Sequence, residues 1–267
     1  MNFSKFKQIE NRSIVAYISP HMINNIDLKN PYVIAWWSAA FPGFGHLILG
    51  HYLLGIILIF HEIIINTLSG LNTAIYFSMI GDIKTAKQAL DTRWILAYLA
   101  PYVFAIWDCY QKTIQHNEDY LITQQSGYEI VSNNFSVFGL NKLEPKKPIT
   151  ALIWSYLAPA AGHVYINRLS IAILIPWFVT VVYLSNLLPA VHYTFVGDFE
   201  ATRNSINPQW FLYLPSMYGF IAYDAYVHTL EYNKIYKMQQ KKFLEKWYQH
   251  RDFPIDGLKS SKEKLKG

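Results

Sequence analysis

The sequence predicts an all-α, polytopic helical membrane protein with about six apolar helical segments in two pseudo-symmetric repeats. Composition, long runs without charge and an internal repeat each support this prediction. Of the 267 residues, 52% are hydrophobic and 15% are charged, whereas soluble domains have about 25% charged residues. A charge deficit of this size indicates that much of the surface does not face water.

The remaining charges are unevenly distributed along the chain. Residues 30–81 contain Glu62 as their only fully charged side chain, and residues 148–197 contain only Arg168. An ionised side chain at the centre of a bilayer costs at least about 2.5 kcal/mol. Two stretches of this length with one charge each are therefore typical of membrane-embedded chain.

The chain also aligns with itself, and this repeat is the strongest signal in the sequence. At an offset of 117 residues, the first half matches the second at Pro31, Trp37, Ser38, Pro42, Gly45 and His46. After a gap of one residue, an offset of 116 matches Gly81, Asp82, Trp94, Asp108, Tyr110, Thr113, Asn117 and Tyr120. Matches of uncommon residues in the same order predict a tandem duplication.

The repeat and the distribution of polar residues together define five regions. They are a polar N-terminal segment (1–30), membrane repeat unit 1 (31–120), a polar linker (121–147), membrane repeat unit 2 (148–236) and a basic C-terminal tail (237–267). Each unit has an apolar segment that ends in a Pro/Gly break, a longer apolar helix and an aromatic-rich helix. These segments are Tyr32–Phe41, Tyr52–Leu71 and Trp94–Tyr110, then Ile149–Ala158, Leu169–Ala190 and Trp210–Tyr226.

Two membrane topologies fit these segments. If all three segments of a unit cross the bilayer, the second unit is inverted relative to the first. If the first segment is re-entrant, each unit has two spans and the units are parallel. We favour six spans, because the first apolar segment can extend through Leu49.

The first break carries a resemblance to a known family. The string from Pro42 to Gly50, Pro-Gly-Phe-Gly-His-Leu-Ile-Leu-Gly, resembles the P-G-x-G-[QH]-x-Y-x-G signature of small bacterial membrane proteins related to the TM2 domain. Trp107-Asp108 resembles the aromatic-Asp element of that family, and unit 2 is a degenerate copy. The resemblance covers about a third of each unit and implies a helical-hairpin membrane module. It supplies no catalytic residues.

The repeat-paired histidines, His46 and His163, are the first candidate functional residues. Each follows a helix break, and irregular backbone is tolerated in a membrane only inside protein or beside a water cavity. The two imidazoles approach each other or flank a shared cavity if the units pack about a pseudo-two-fold axis. A bond to a carbonyl freed by the break, a polar-ligand or proton site, and a metal site all remain open.

The repeat-paired aspartates, Asp108 and Asp224, form a second candidate set near one end of the third helices. Each carboxylate either caps a neighbouring helix or lies at the headgroup level. An ion pair with Arg168 and a titratable transport site are the functional alternatives. Asp82 and Asp198 follow glycine and are predicted to be turn residues or helix N-caps.

His61 and Glu62 occur only in unit 1, in the middle of its longer apolar helix. An acidic group at this depth is costly and usually faces the interior of the bundle, which makes it a functional candidate. Alternatively, Glu62 is neutral and bonded to His61 or to another helix.

Several functional classes have no support in the sequence. There is no GxSxG, HExxH, Walker or GxGxxG motif, so we expect no enzyme activity, no catalytic residues and no cofactor. Cys109 is the only cysteine, and two histidines without a third defined ligand are weak grounds for a metal. The first thirty residues do not have the pattern of a cleaved signal peptide.

The basic charge of the protein is concentrated near its C-terminus. Residues 233–267 contain ten Lys/Arg and four Asp/Glu. This surplus of six positive charges exceeds the net charge of +5 for the whole chain. This indicates a cytoplasmic tail, with anionic lipid or a protein partner as its target and no sign of nucleic-acid binding.

From these features we expect a non-enzymatic adaptor or assembly factor in the bacterial cytoplasmic membrane, with the lipid bilayer around it. A protein partner would bind through the basic tail or the linker. The alternative is a small transporter or channel for an ion or small solute at the repeat interface.

Overall fold

The computed structural model describes residues 14–19, 23–125, 129–132, 135–136, 139–172 and 174–248. Most of these residues are helical, which confirms the prediction of a helical protein. The helices of the first half are α1 (Pro31–Ala40), α2 (Phe44–Ile48), α3 (Tyr52–Ser69), α4 (Leu71–Met79), α5 (Ile83–Ala89) and α6 (Thr92–Gln125). Those of the second half are α7 (Pro148–Leu157), α8 (Ala161–Tyr165), α9 (Leu169–Ala172), α10 (Ile175–Leu184), α11 (Leu187–Phe195), α12 (Phe199–Ser205), α13 (Pro208–Phe211) and α14 (Tyr213–Trp247).

Five short strands, which were not predicted, lie in the polar N-terminal segment and the linker. They are β1 (Ile14–Ile18), β2 (Ile23–Asn25), β3 (Glu129–Ser132), β4 (Phe135–Ser136) and β5 (Gly139–Leu140). β1 pairs with β2 in antiparallel and with β3 in parallel orientation, while β4 and β5 form a separate antiparallel pair. The fold remains mostly helical, as predicted. The pairing of β1 with β3 joins segments more than 100 residues apart and leaves little local sequence pattern.

The elements of the second half follow the same order as those of the first. Each half begins with a ten-residue helix, continues with a five-residue helix after a break and ends in a long helix. The first and last helices of each half pack against each other, α1 on α6 and α7 on α14. The second half differs in being more broken: the predicted helix Leu169–Ala190 divides into α9, α10 and α11. Pro176 in the first turn of α10 and the left-handed Asn186 before α11 account for these divisions.

The backbone also corresponds between the halves at its left-handed residues. The residues of positive φ in the described chain form four pairs at the offsets found in the sequence, Gly43/Ala160, Gly50/Asn167, Gly70/Asn186 and Gly81/Gly197. Three glycines are thus replaced by alanine or asparagine without a change of backbone conformation. The same turns recur in both halves although their residues differ.

The segments between the second and third apolar helices contain two short helices in each half. These are α4 and α5 in the first half and α11 and α12 in the second. The predicted N-caps are confirmed: the Asp82 carboxylate accepts from the Thr85 amide, and that of Asp198 accepts from the Ala201 amide.

The first apolar segment of each half is interrupted. α1 ends at Ala40, the backbone is extended at Phe41, and α2 begins only after the left-handed Gly43. At about 1.5 Å per residue, a ten-residue helix is about 15 Å long, half of the roughly 30 Å hydrocarbon core. The extension of this segment through Leu49 thus consists of two helices separated by the predicted Pro/Gly break.

Only one helix of the described chain is by itself long and apolar enough to cross a membrane. It is α3, whose 18 residues have a mean hydropathy of 1.8. Residues Leu169–Leu184 and Leu187–Phe195 pass the same test only as a pair bent by 51°. By length and composition, the described chain thus holds one or two candidate spans, fewer than the six that the sequence predicts.

Aromatic side chains join the two halves in the core. Phe41 stacks on Phe44, and Phe44 stacks on Phe220 of α14 with ring centroids 4.0 Å apart. Trp37 of α1 packs edge-on against the same Phe220. Buried aromatic pairs of this geometry contribute about 0.5–1.5 kcal/mol beyond their area. The helix break of the first half is thereby packed against the last helix of the second.

Close backbone packing requires glycine at one matched position in each half. A Cβ on Gly45 would lie 2.5 Å from the Ile34 carbonyl oxygen and 2.7 Å from Ser38 Oγ. A Cβ on Gly162 would meet the corresponding oxygens of Ala151 and Ser155. α2 and α8 can therefore approach α1 and α7 only without a side chain at this position.

We predict that Gly45→Ala and Gly162→Ala each destabilise the protein by about 1–3 kcal/mol, because the backbone must move to relieve overpacking. Thermal unfolding of the purified protein measures the effect. Gly219→Ala is the matched control: its Cβ would meet Trp37 at an ordinary 3.5 Å, and alanine favours the helix. An equal loss in all three variants would contradict this account.

Candidate functional site

The candidate histidines and aspartates contact each other within each half. His46 Nε2 lies 2.9 Å from Asp108 Oδ2, and His163 Nε2 lies 2.9 Å from Asp224 Oδ2. Both histidines are completely buried. The two histidines therefore do not pair with each other. Each imidazole bonds to the last helix of its own half.

The two histidines differ at their second ring nitrogen. Cys109 Sγ lies 3.5 Å from His46 Nδ1. A histidine that donates from Nε2 to a carboxylate has an acceptor at Nδ1, which suits a thiol donor. The matched residue in the second half is Ala225, which has no such group, and His163 Nδ1 is buried without a hydrogen bond in the described structure.

In the first half a lysine balances the aspartate. Lys112, one helical turn after Asp108, places its Nζ 2.6 and 2.7 Å from the two carboxylate oxygens. The lysine side chain is 26% exposed, so its ammonium retains contact with solvent. This aspartate is therefore neutralised at the edge of the helix bundle.

In the second half the aspartate is deeper and has three basic neighbours. Asp224 is completely buried. Besides His163, Arg168 Nε lies 3.1 Å from Asp224 Oδ2 and His228 Nδ1 lies 3.1 Å from Oδ1. The ion pair with Arg168 that the sequence left as an alternative is thus present for Asp224.

The halves use the same two positions for different bases. By the offsets of the repeat, Arg168 corresponds to His51 and His228 corresponds to Lys112. In the first half the stronger base is Lys112, on the last helix. In the second half it is Arg168, which lies between α8 and α9. Neither exchange is marked by an identical residue, and for this reason the sequence comparison missed His228.

Arg168 also connects the halves directly. Its Nη2 donates to the Leu47 carbonyl oxygen of α2 at 3.1 Å, and its guanidinium lies over the Tyr52 ring at 5.8 Å. A guanidinium can serve several acceptors because its five N–H groups are fixed in one plane. One buried arginine thus bonds to the acid of its own half and to the helix break of the other.

A chain of ionisable side chains extends from Asp224 to the N-terminal segment. His228 Nε2 is 3.7 Å from Glu231 Oε2, and Glu231 in turn pairs with Lys29 and accepts from Asn25 Nδ2 at 3.1 Å. Burial raises the pKa of Glu231, but His228, Lys29 and the hydrogen bonds outweigh it and hold the pKa at about 2. This glutamate lies past Tyr226, where the apolar part of α14 ends.

A matched pair of asparagines holds the chain where it enters each half. Asn117 accepts from the Lys29 amide at 2.9 Å and donates to the Lys29 carbonyl at 2.8 Å. Asn233 bonds to the amide and carbonyl of Lys146 in the same way, at 2.8 and 2.7 Å. Both asparagines belong to the sequence repeat, but their role depends on backbone that lies about 90 residues away.

Glu62 lies in a separate buried cluster. Its Oε1 accepts from Asn66 Nδ2 at 3.0 Å and from the Tyr98 hydroxyl of α6 at 3.3 Å. The predicted bond to another helix is thus present, whereas His61 is half-buried beside it and is not a partner of this carboxylate in the described structure. Gln209 of the second half joins the cluster, with Nε2 2.8 Å from Asn66 Oδ1.

A cavity of about 630 Å³ opens between the two halves and the N-terminal segment. The basic residues on its wall are Lys29, His116, Arg168 and His228. The wall also includes the chain before α1 and the chain after α2, residues 23–26 and 48–50. The α1–α2 segment therefore begins and ends at the same cavity. None of the six sequence-predicted candidates is among the described residues that line it.

No family model, curated protein or solved structure matches this chain. The resemblance to proteins related to the TM2 domain therefore stays a prediction. Among the described residues, there is also no group of three or more His, Cys, Asp or Glu placed to hold a metal ion.

We predict that Asp224→Asn destabilises the protein by about 3–5 kcal/mol, because it leaves Arg168 buried without its carboxylate. Asp108→Asn is the matched variant and should cost about 1–2 kcal/mol, since Lys112 can turn to solvent. Denaturant unfolding of both variants measures the difference. Equal losses would show that the two His–Asp pairs have the same energetic role.

We predict that Glu231 contributes an acid-sensitive part of the stability. Its folded pKa of about 2 lies below the ordinary value of 4.5. The contribution, about 3 kcal/mol, is therefore complete above pH 4.5 and is lost as the pH falls toward 2. Thermal unfolding between these pH values measures it. Glu231→Gln should remove this phase, whereas Glu245→Gln, at an exposed position of the same helix, should retain it.

Proposed function

We propose that this chain is an integral membrane protein of two duplicated halves that acts as a non-enzymatic adaptor or assembly factor in the bacterial cytoplasmic membrane. The proposal rests on the length of α14 and on the exposed lysines of its C-terminal part. This helix continues past the buried Asp224 to Trp247, and two lysines of its C-terminal part, Lys237 and Lys241, are exposed.

Exposed apolar stripes support the membrane assignment. Leu53, Ile57, Phe60, Ile64 and Leu68 follow one another at helical spacing along α3 and are 46–76% exposed. Only 39% of this helix is buried, whereas the core helix of a soluble protein is mostly buried. Soluble proteins rarely expose contiguous apolar surface of this extent.

A second stripe lies on α6. Leu96, Leu99, Val103 and Trp107 repeat at intervals of three or four residues, and each is more than half exposed. Asp108 and Thr113 of the same helix are buried. Apolar side chains outward and polar side chains inward is the arrangement that hydrocarbon favours.

The return of the α1–α2 segment to its starting cavity favours two spans in each half, with that segment re-entrant. The spans are then α3 and the part of α6 up to Tyr110 in the first half, and the bent α9–α11 region and the part of α14 up to Tyr226 in the second. The two halves are parallel, and the N-terminal segment, linker and tail lie on one side. Four of the 23 Lys and Arg then face the opposite side, which agrees with a cytoplasmic position of the termini.

The burial of the His–Asp pairs favours an adaptor over a transporter. His46 and His163 are satisfied by carboxylates of their own half and do not meet the cavity. Their chemistry is used to hold a short helix in place. A transport route would instead bring titratable side chains to a hydrated path.

We predict that replacing Lys237 and Lys241 by glutamine releases a partner that copurifies with the full-length protein in mild detergent. Two exposed cations contribute about a tenfold change in affinity when they pair with acidic groups. Quantitative mass spectrometry of the purified complex measures the loss. Lys84→Gln with Lys87→Gln is the matched control, because these lysines are also exposed but lie on α5.

Equal retention of the partner in both double variants would contradict binding through α14. A stable full-length protein that purifies without a stoichiometric partner would contradict the adaptor proposal itself.

The cavity between the halves supports a second candidate, a small transporter at the repeat interface. Solute flux into liposomes that contain the protein, and its loss in Glu62→Gln, would favour this function. Flux without dependence on Glu62 would show that the buried cluster around this residue is structural.

A further inference from the structure

The cavity wall separates cations from the carboxylates that balance them. Lys29, Arg168 and His228 line the cavity, whereas Asp224 and Glu231, which pair with them, are not among the described lining residues. Asp119 is the acidic side chain on the described wall, and it is exposed at the rim. The donors of the ion pairs thus face the cavity while their acceptors lie behind.

The remaining wall combines apolar, aromatic and polar residues. Its described residues include Ile23, Leu49 and Tyr52, together with Asn24 and Asn25. The volume of about 630 Å³ lies within the range of about 300–1,000 Å³ for small-molecule sites. A few convergent polar groups in such a wall are typical of a site that orients a ligand through its charged end.

We propose that this cavity binds a phosphate-bearing anion, with its oxygens between Lys29 and Arg168. Arginine is suited to phosphate because its planar guanidinium offers parallel N–H groups, and lysine adds an ammonium with three donors. Both side chains are nearly fully buried, so the ligand meets them away from bulk water. Their carboxylate partners hold the two cations in position.

The position of the cavity leaves two sources for such a phosphate. The wall includes the polar N-terminal segment and the C-terminal part of α6 from His116 to Thr123, next to the apolar stripes of α3 and α6. A lipid headgroup and a free phosphate both have the required oxygens. The site does not depend on the adaptor proposal, because it does not include the exposed lysines of α14.

The test uses the full-length protein in detergent and isothermal titration with three probes. These are inorganic phosphate, short-chain phosphatidylglycerol, and short-chain phosphatidylcholine with the same acyl chains. We expect phosphatidylglycerol to bind at least about tenfold more tightly than phosphatidylcholine. Binding of inorganic phosphate as well would identify free phosphate as sufficient, and its failure to bind would identify the lipid headgroup. Equal binding of both lipids, or no binding of any probe, would overturn the proposal.

Variants locate the site. Lys29→Gln combined with Glu231→Gln removes a lining cation and the acid behind it, so no buried charge is stranded, and we expect at least about tenfold weaker binding. Glu231→Gln alone removes the acid but keeps the Lys29 ammonium for the ligand, so it should weaken binding less than the double variant. Lys146→Gln, the repeat-matched control outside this cavity, should leave binding unchanged. Equal weakening in all three variants would overturn the proposal.

A further variant keeps the test decisive if the double variant fails to fold. Gly50 lies on the cavity wall at φ +80°, and a Cβ there would have no heavy atom within 4 Å. The matched residue Asn167 adopts the same left-handed backbone. Gly50→Asn should therefore fold, narrow the cavity and weaken binding of the anion that the wild type binds. Unchanged binding in a folded Gly50→Asn protein would place the anion elsewhere.

Discussion

The burial of one carboxylate, Asp224, is the constraint on which the rest of the structure depends. An ionised acid away from water requires cations and hydrogen bonds around it, because otherwise its burial costs several kcal/mol. His163, Arg168 and His228 meet this requirement from three directions. Since Arg168 also bonds to the Leu47 carbonyl of the first half, satisfying this acid holds the two halves together.

The same requirement explains why the halves differ. In the first half Asp108 lies near the bundle surface, so a lysine that reaches solvent is sufficient to balance it. In the second half the acid lies at the junction with the first, where a flexible ammonium would lose its hydration. A guanidinium with fixed donors takes its place, and the position on the last helix is left to the weaker base His228. The backbones of the two halves thus correspond while their charges differ.

The ion pairs also shape the cavity. Glu231 and Asp224 hold Lys29 and Arg168 from behind, and the cations consequently face the space between the N-terminal segment and the two halves. Close packing then determines where backbone can return to this space. Because Gly45 has no side chain, α2 packs directly on α1. Residues 48–50, just before α3, therefore line the same cavity as residues 23–26, before α1. The fold and the candidate binding site therefore arise from the same contacts.

The sequence by itself determined the helical class, the repeat with its offset and the N-caps at Asp82 and Asp198, because these depend on composition and on residues close in the chain. It also selected both histidines and both aspartates, since identical residues recur at matched positions. Only the tertiary structure decided that each histidine pairs with an aspartate about 60 residues away. The strands, the division of the predicted helix in the second half and the cavity were likewise decided there. The same physical reason applies to all of these features. The direction that the backbone takes after each helix break determines which distant groups come into contact, and the local sequence pattern does not specify that direction.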